Sequence, residues 1–343
     1  MLKQNAAADT SSMLTALSKT LRIVIQSLIL GLGAYLAIQQ EISPGMMIAG
    51  SILLGRALAP IDQMLGIWKQ FAQAREQYKR LNTSLHHDHL VESDMSLPAP
   101  QGELLVDNIT VTAPGSNSVL LHDIYFQVRA GTITGIIGPS AAGKSTLARA
   151  LLGIWPCAKG SVRLDGADIF TWNKAELGPH VGYLPQDIEL FEGSVGDNIA
   201  RFGTRDPEKV VAAARNAGIH DMILRLPQGY DTLLGNAGAN LSGGQRQRLG
   251  IARAIYGSPR LVVLDEPNAN LDHQGEMALL DTLQMLRRDG ASVFIITHKT
   301  NVLAAVDKLL VLADGSLSMF GPRDAVLAEL NRHAPPPKLK EVV

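Results

Sequence analysis

The stretch "GPSAAGKST", Gly138–Thr146, fixes two glycines, a lysine and two hydroxyls at the spacing Gly-x4-Gly-Lys-Ser-Thr. That spacing is chemistry for phosphate. The backbone of Gly138, Pro139, Ser140, Ala141, Ala142 and Gly143 can wrap phosphate oxygens, and the helix that the loop opens adds about half a positive charge at its N-terminus. In this P-loop pattern Lys144 bridges the β- and γ-phosphates of a nucleoside triphosphate, Ser145 ligates Mg²⁺ and Thr146 faces the α-phosphate.

A cradle alone binds; hydrolysis needs carboxylates. "LVVLDEP" supplies two at the end of an apolar run: Asp265 to hold Mg²⁺ through water and Glu266 to orient or deprotonate the attacking water. The competing reading is a solvated acidic strand end. His298, closing "VFIITH", is open between a γ-phosphate contact and a structural role. A second glycine-paired turn, "LSGGQRQR" at Leu241–Arg248, is harder to place. Ser242, Gly243 and Gly244 open a helix over Gln245–Tyr256, so its free N–H groups form another anion site. On its own this reads better as a capped surface helix.

These groups need elements that aim them. "ELLVDNITV", "IYFQVRAG" and "TITGIIG" are short β-rich runs, and the P-loop follows the third. "RLVVLDE" and "SVFIITH" are continuous apolar runs suited to strands covered on both faces, with chemistry at their carboxyl ends. A helical run over Ser145–Leu152 follows the P-loop, and the chain between Pro185 and Gly257 is mostly helical in pattern.

The N-terminal part differs. "IVIQSLILGLGAYLAI", Ile23–Ile38, holds no charge, and a second apolar stretch starts at Met46. Taken as about 21–38 and 46–66, both approach the ~20 residues of a membrane helix. Arg56 in the second costs about 2.5–3.5 kcal/mol on an insertion scale, roughly what its apolar neighbours return. Pro60 should bend that leg. Lys19 and Arg22 before the pair and Lys69, Arg75, Lys79 and Arg80 after it put both ends in the cytoplasm, since Gln39–Gly45 has no basic residue. The polar helix 67–81 then leaves the membrane. Residues 1–83 thus form a transmembrane part, 84–101 a linker, 102–332 a nucleotide-binding domain and 333–343 a disordered tail. His86, His87 and His89 read as linker rather than metal ligands.

Composition agrees with partial burial in lipid. Of 343 residues 18% are charged, below the roughly 25% of soluble domains. The net charge of −1 gives no electrostatic case for nucleic acid. The single cysteine, Cys157, excludes an internal disulfide.

In order, "GPSAAGKST", "YLPQD", "LSGGQRQR", "LVVLDEP", "NLD" and "ITH" resemble an ATP-binding cassette (ABC) protein over roughly 102–332. The resemblance implies an α/β P-loop NTPase fold with a helical subdomain, ATP and Mg²⁺ as cofactors, and a head-to-tail dimer. Each ATP would lie between one P-loop and the other chain's Ser242, Gly243, Gly244 and Gln245, which explains the second turn. It implies too that Gln186 senses Mg²⁺ and γ-phosphate, that Asp272 sits in the loop crossing the dimer interface, and that His298 is catalytic.

With "EISPGMMIAGSILLGRALAPIDQ" and "DEPNANLD", the chain looks most like type I secretion permease/ATPases. That resemblance implies a bacterial inner-membrane subunit with its cassette in the cytoplasm, working as a homodimer beside a periplasmic adaptor and an outer-membrane channel, with an exported protein as cargo. Alternatives are an exporter of lipid or small molecules, or a non-transporting remnant. Three departures stand out. Ala113 occupies a position that is often aromatic, and Asn236 one that is often glutamate in exporters. The family has six membrane helices, and two imply a fragment or a split transporter completed by helices from elsewhere.

Overall fold

A computed structural model describes residues 2–88, 96–116, 118–235 and 241–333, without the side chains of 2–15 and of scattered positions up to 88. Asn236, residues 89–95 of the expected linker and the tail from 334 lie outside the described residues. The chain divides into two compact units, Met1–Leu90 and Val91–Val343.

The first unit is a helical hairpin, α1 (Leu2–Ile38) and α2 (Pro44–Asp88). Gln40, at φ 62°, ends α1 in the left-handed conformation usually given to glycine. Around it the Glu41 N–H donates to Leu36 O at 3.1 Å and the Gln40 N–H to Ala37 O at 3.1 Å, a Schellman closure. Ser43 then starts α2, its Oγ accepting from the Met46 N–H at 3.3 Å, with Pro44 at the first helical position.

Small residues let the legs approach. A Cβ on Gly33 would lie 2.8 Å from Met47 Cγ, and the Arg22 guanidinium donates to Gly55 O at 3.2 Å. Among the described residues one stretch, Lys19–Ile38, is long and apolar enough to cross a membrane, and only 6% of it is buried. The second leg, with Arg56 and Pro60, shows no such stretch among those residues. α2 nevertheless runs unbroken through Pro60 to Asp88. The polar segment 67–81 and residues 84–88 of the expected linker are therefore the continuation of one 45-residue helix.

The second unit opens with β1 (Leu104–Thr112), β2 (Val119–Val128), β3 (Ile133–Ile137), α3 (Lys144–Leu151), β4 (Lys159–Leu164) and β5 (Ala167–Asp168). After α4 (Lys174–Leu177) and β6 (Val181–Leu184) comes the helical region: β7 (Gly193–Ser194), α5 (Val195–Ile199), α6 (Pro207–Asn216), α7 (His220–Leu224), β8 (Leu233–Leu234) and α8 (Gly243–Ile255). β9 (Leu261–Asp265), α9 (His273–Arg288), β10 (Ser292–Ile296), α10 (Thr300–Leu303), β11 (Lys308–Ala313), β12 (Ser316–Pro322) and α11 (Arg323–His333) complete it.

The central sheet has the order β12-β11-β3-β10-β9-β6, parallel except for β12. A second, antiparallel sheet runs β2-β1-β4-β5. The central strands read as unbroken apolar runs because both faces are covered. Val262, Leu264, Val293, Ile295 and Leu309 join the core under the helical region. Their alternates Leu261, Val263, Phe294, Ile296 and Leu310 pack with α3 and the antiparallel sheet.

Candidate functional site

Register decides which residues meet. Ile296 of β10 pairs with Ile136 of β3 on one side and with Asp265 of β9 on the other, while Leu184 of β6 pairs with Leu264. All four strands are parallel, so their carboxyl ends share one edge. Onto that edge emerge the P-loop after β3, Asp265 and Glu266 at the end of β9, His298 two residues past β10, and Gln186 two past β6.

The P-loop's glycines answer to space as well as to phosphate. Gly138 and Gly143 have φ 155° and 94°, and Ala141 is left-handed at φ 64°. A Cβ on Gly138 would stand 2.3 Å from Leu312 O, and one on Gly143 2.6 Å from Leu121 Cδ2. No side chain caps α3, so its first-turn N–H groups are left for an anion. Lys144 Nζ donates to the Gly138 and Pro139 carbonyls, both at 2.8 Å, which holds the ammonium over the loop.

Asp265 is 3% exposed and hydrogen-bonded to Ser145. Burial pushes its carboxyl above the usual carboxylate range; the Ser145 bond pulls it down, Glu266 pushes it up, and Arg149 and Lys144 pull it back down. A hydroxyl and a carboxylate together are the hard oxygen donors Mg²⁺ takes. Among the described residues no three His, Cys, Asp or Glu side chains gather as a metal site. A cation here would complete its shell with water and phosphate oxygens, which suits Mg²⁺.

Glu266 is unusual in its backbone, at φ 50°. Left-handed geometry is uncommon outside glycine and is kept only where neighbours enforce it. Here its N–H donates to Ile296 O at 2.9 Å, and its carbonyl accepts from the Ala269 N–H at 3.0 Å and from Gln247 Nε2 at 3.2 Å. Beyond it, the buried Thr297 hydroxyl donates to Asn268 Oδ1 at 2.7 Å and ties the next loop to β10. His298 itself is exposed at that edge.

The second turn is a capping box. Ser242 Oγ accepts from the Gln245 N–H at 3.2 Å, and the Ser242 N–H donates to Gln245 Oε1 at 2.8 Å. The capped-helix reading and the anion reading are compatible. A hydroxyl that accepts still has its proton to donate, and Ser242 is exposed. Ser242, Gly244, Gln245, Arg248, Asn270 and Asp272 line an open recess of about 490 Å³. A Cβ on Gly244 would lie 2.8 Å from Asn270 O, so a larger residue cannot sit there. Asp272 caps α9 through the Gly275 N–H at 2.8 Å and pairs with Arg248. Those bonds, the Gly275 one first, hold its carboxyl below the usual range.

Gln186 opens onto a separate recess of about 230 Å³, beside Gly243, Arg246, Gln247 and Asn270. The structure therefore places Gln186 next to α8 of its own chain. Two residues that the motifs do not reveal hold α8. Gln247 is buried at 3% exposure. Arg201 spreads its guanidinium over the carbonyls of Arg253 (2.9 Å), Gly178 (3.0 Å), Val181 (2.6 Å), Ala254 (2.9 Å) and Tyr256 (3.2 Å).

Residues 121–269 match the family model described as ABC transporter. The type I secretion system ATP-binding protein PrsD of Rhizobium meliloti is 48% identical over 318 residues, 92% of this chain and 55% of that protein. The cyclolysin secretion/processing ATP-binding protein CyaB of Bordetella pertussis is 35% identical over 303 residues, 88% of this chain and 42% of its own length. A solved bacterial Atm1-family ABC exporter with ATP bound superposes with a TM-score of 0.66 at 28% identity, over 98% of this chain and 61% of the other. The chain spans about half the length of these curated relatives. A P-loop and an acidic pair on one sheet edge, an exposed serine-glycine turn on α8 and this set of relatives have one common explanation: the chain carries an ATP-binding domain of the ABC transporter family.

Proposed function

We propose that the chain is the ATP-binding and ATP-hydrolysing subunit of an exporter for type I protein secretion. Two copies face head to tail, each P-loop presenting its nucleotide to the other copy's Ser242, Gly243, Gly244 and Gln245. Ser145 and Asp265 would hold Mg²⁺, which would offset the charge of the phosphates, and Gln186 would sense the ion. Glu266 takes a proton from the attacking water, and His298 contacts the γ-phosphate. The hairpin lies in the bacterial inner membrane with the cassette on its cytoplasmic side, and further membrane helices join it. A periplasmic adaptor, an outer-membrane channel and an exported protein complete the assembly.

The observation that carries this reading is that no P-loop residue lines either recess beside the α8 turn. The P-loop sits at the sheet edge with Asp265 and Glu266. The α8 turn lines its own recess, with none of those residues among its walls. A phosphate-type turn whose recesses exclude its own P-loop fits a nucleotide supplied by a second copy. Similarity to PrsD over nearly the whole chain supports secretion as the setting.

Ser242→Arg tests it. The long cation fills the recess without touching the P-loop, so nucleotide binding to the full chain stays near wild type. Turnover falls by about 10²-fold or more, the scale for losing a transition-state donor. Loss of nucleotide binding would instead put that turn in the chain's own site.

A further inference from the structure

Resting on that function, we propose that Gln247 is a positioning residue for Glu266, through which helix α8 sets the carboxylate that activates water. Glu266 holds a sparsely populated φ of 50°, and three bonds to its main chain keep it there. Two of them, from Glu266 N–H to Ile296 O and from Ala269 N–H to Glu266 O, come from β10 and from the loop that follows Glu266. The third is the Gln247 amide, a side-chain restraint supplied by helix α8.

Gln247 is suited to this and to little else. It is 3% exposed, and a polar amide is kept in such a place with a hydrogen bond. Its neighbours on the helix, Leu249, Gly250 and Ile251, are buried and apolar. The next residue, Arg248, pairs with Asp272. Consecutive residues of α8 therefore grip the chain on both sides of the segment 267–271. Ser242–Gln245 stand on the first turn of the same helix, so whatever seats that turn also seats Gln247. Turning the Glu266 main chain swings its carboxylate by ångströms, and proton abstraction requires hydrogen-bond reach of the water.

Gln247→Met keeps the length and removes the donor. In the full chain, amide exchange at Glu266 and Ala269 should accelerate about tenfold, while amides of β12 stay unchanged. Turnover should fall about tenfold with the KM for ATP unmoved. Placed on Glu266→Gln, the same change should have no further effect, because residues acting through one group are not additive.

Unchanged exchange at Glu266 would overturn the anchoring. An equal loss of turnover on the Glu266→Gln background would also overturn the proposal, since Gln247 would then act elsewhere. If Glu266→Gln itself turned over normally, the assigned role of Glu266 would fall, while the exchange result would still report on the anchor.

Discussion

Glu266→Gln should bind ATP like the wild type and turn it over about 10²–10⁴-fold more slowly, the range for removing a general base. The amide has the carboxylate's shape and cannot take up a proton. Nothing else changes, because the main chain at 266 is fixed by bonds from Ile296, Ala269 and Gln247 that the substitution leaves alone. Binding persists because the P-loop amides and Lys144 belong to different elements. Steady-state turnover and nucleotide binding on the same preparation check both halves. Near-normal turnover would remove Glu266 from its role.

Arg201→Met should have the largest effect on stability. The five carbonyls that its guanidinium serves include Arg253, Ala254 and Tyr256, at the C-terminal end of α8. The last carbonyls of a helix lack intrahelical partners and carry its negative end. Tyr256, which ends α8, is already extended at ψ 132° and gives them no left-handed closure. Arg201 takes a glycine-like φ of 57° to reach them.

Burial lowers the Arg201 pKa to about 10, with Arg253 adding to it. A group still protonated at neutral pH, with its donors matched by helix-end oxygens, is held by geometry and dipole. Methionine fills the space and leaves those oxygens unpaired, which costs about 2–4 kcal/mol for a part-buried site. Melting of the full chain should drop by roughly 5–15 °C. A shift of a degree or two would show that water replaces the guanidinium freely.

The motifs were legible because phosphate chemistry demands particular residue types at particular spacings. Gly138 to Thr146 and Asp265–Glu266 could be read before any element was known, and β9 and β10 could be read from their apolar runs. Arg201 could not. Its partners are main-chain oxygens of residues 178, 181, 253, 254 and 256, which residue types do not reveal.

Gln247 read as one more polar residue in "GGQRQR"; only the buried face of α8 separates it from Gln245 and Arg246. A donor at period-matched core positions is the signal that would have found it. The length of α2 was hidden for another reason. Pro60 and the change from apolar to polar suggested separate segments, yet a proline removes one backbone hydrogen bond and α2 continues past it.

The central claim is that one hydrolysing site is completed by two chains. Mixing full-length Ser242→Arg with full-length Glu266→Gln tests it most directly. Each variant alone should turn over at least about 10²-fold more slowly than the wild type. In a mixed pair, the Ser242→Arg chain offers an intact P-loop and Glu266, and the Glu266→Gln chain lends an intact Ser242 turn to that nucleotide. The account predicts that turnover returns on mixing. A mixture as inactive as its components would mean that each chain uses its own turn, and would contradict the account.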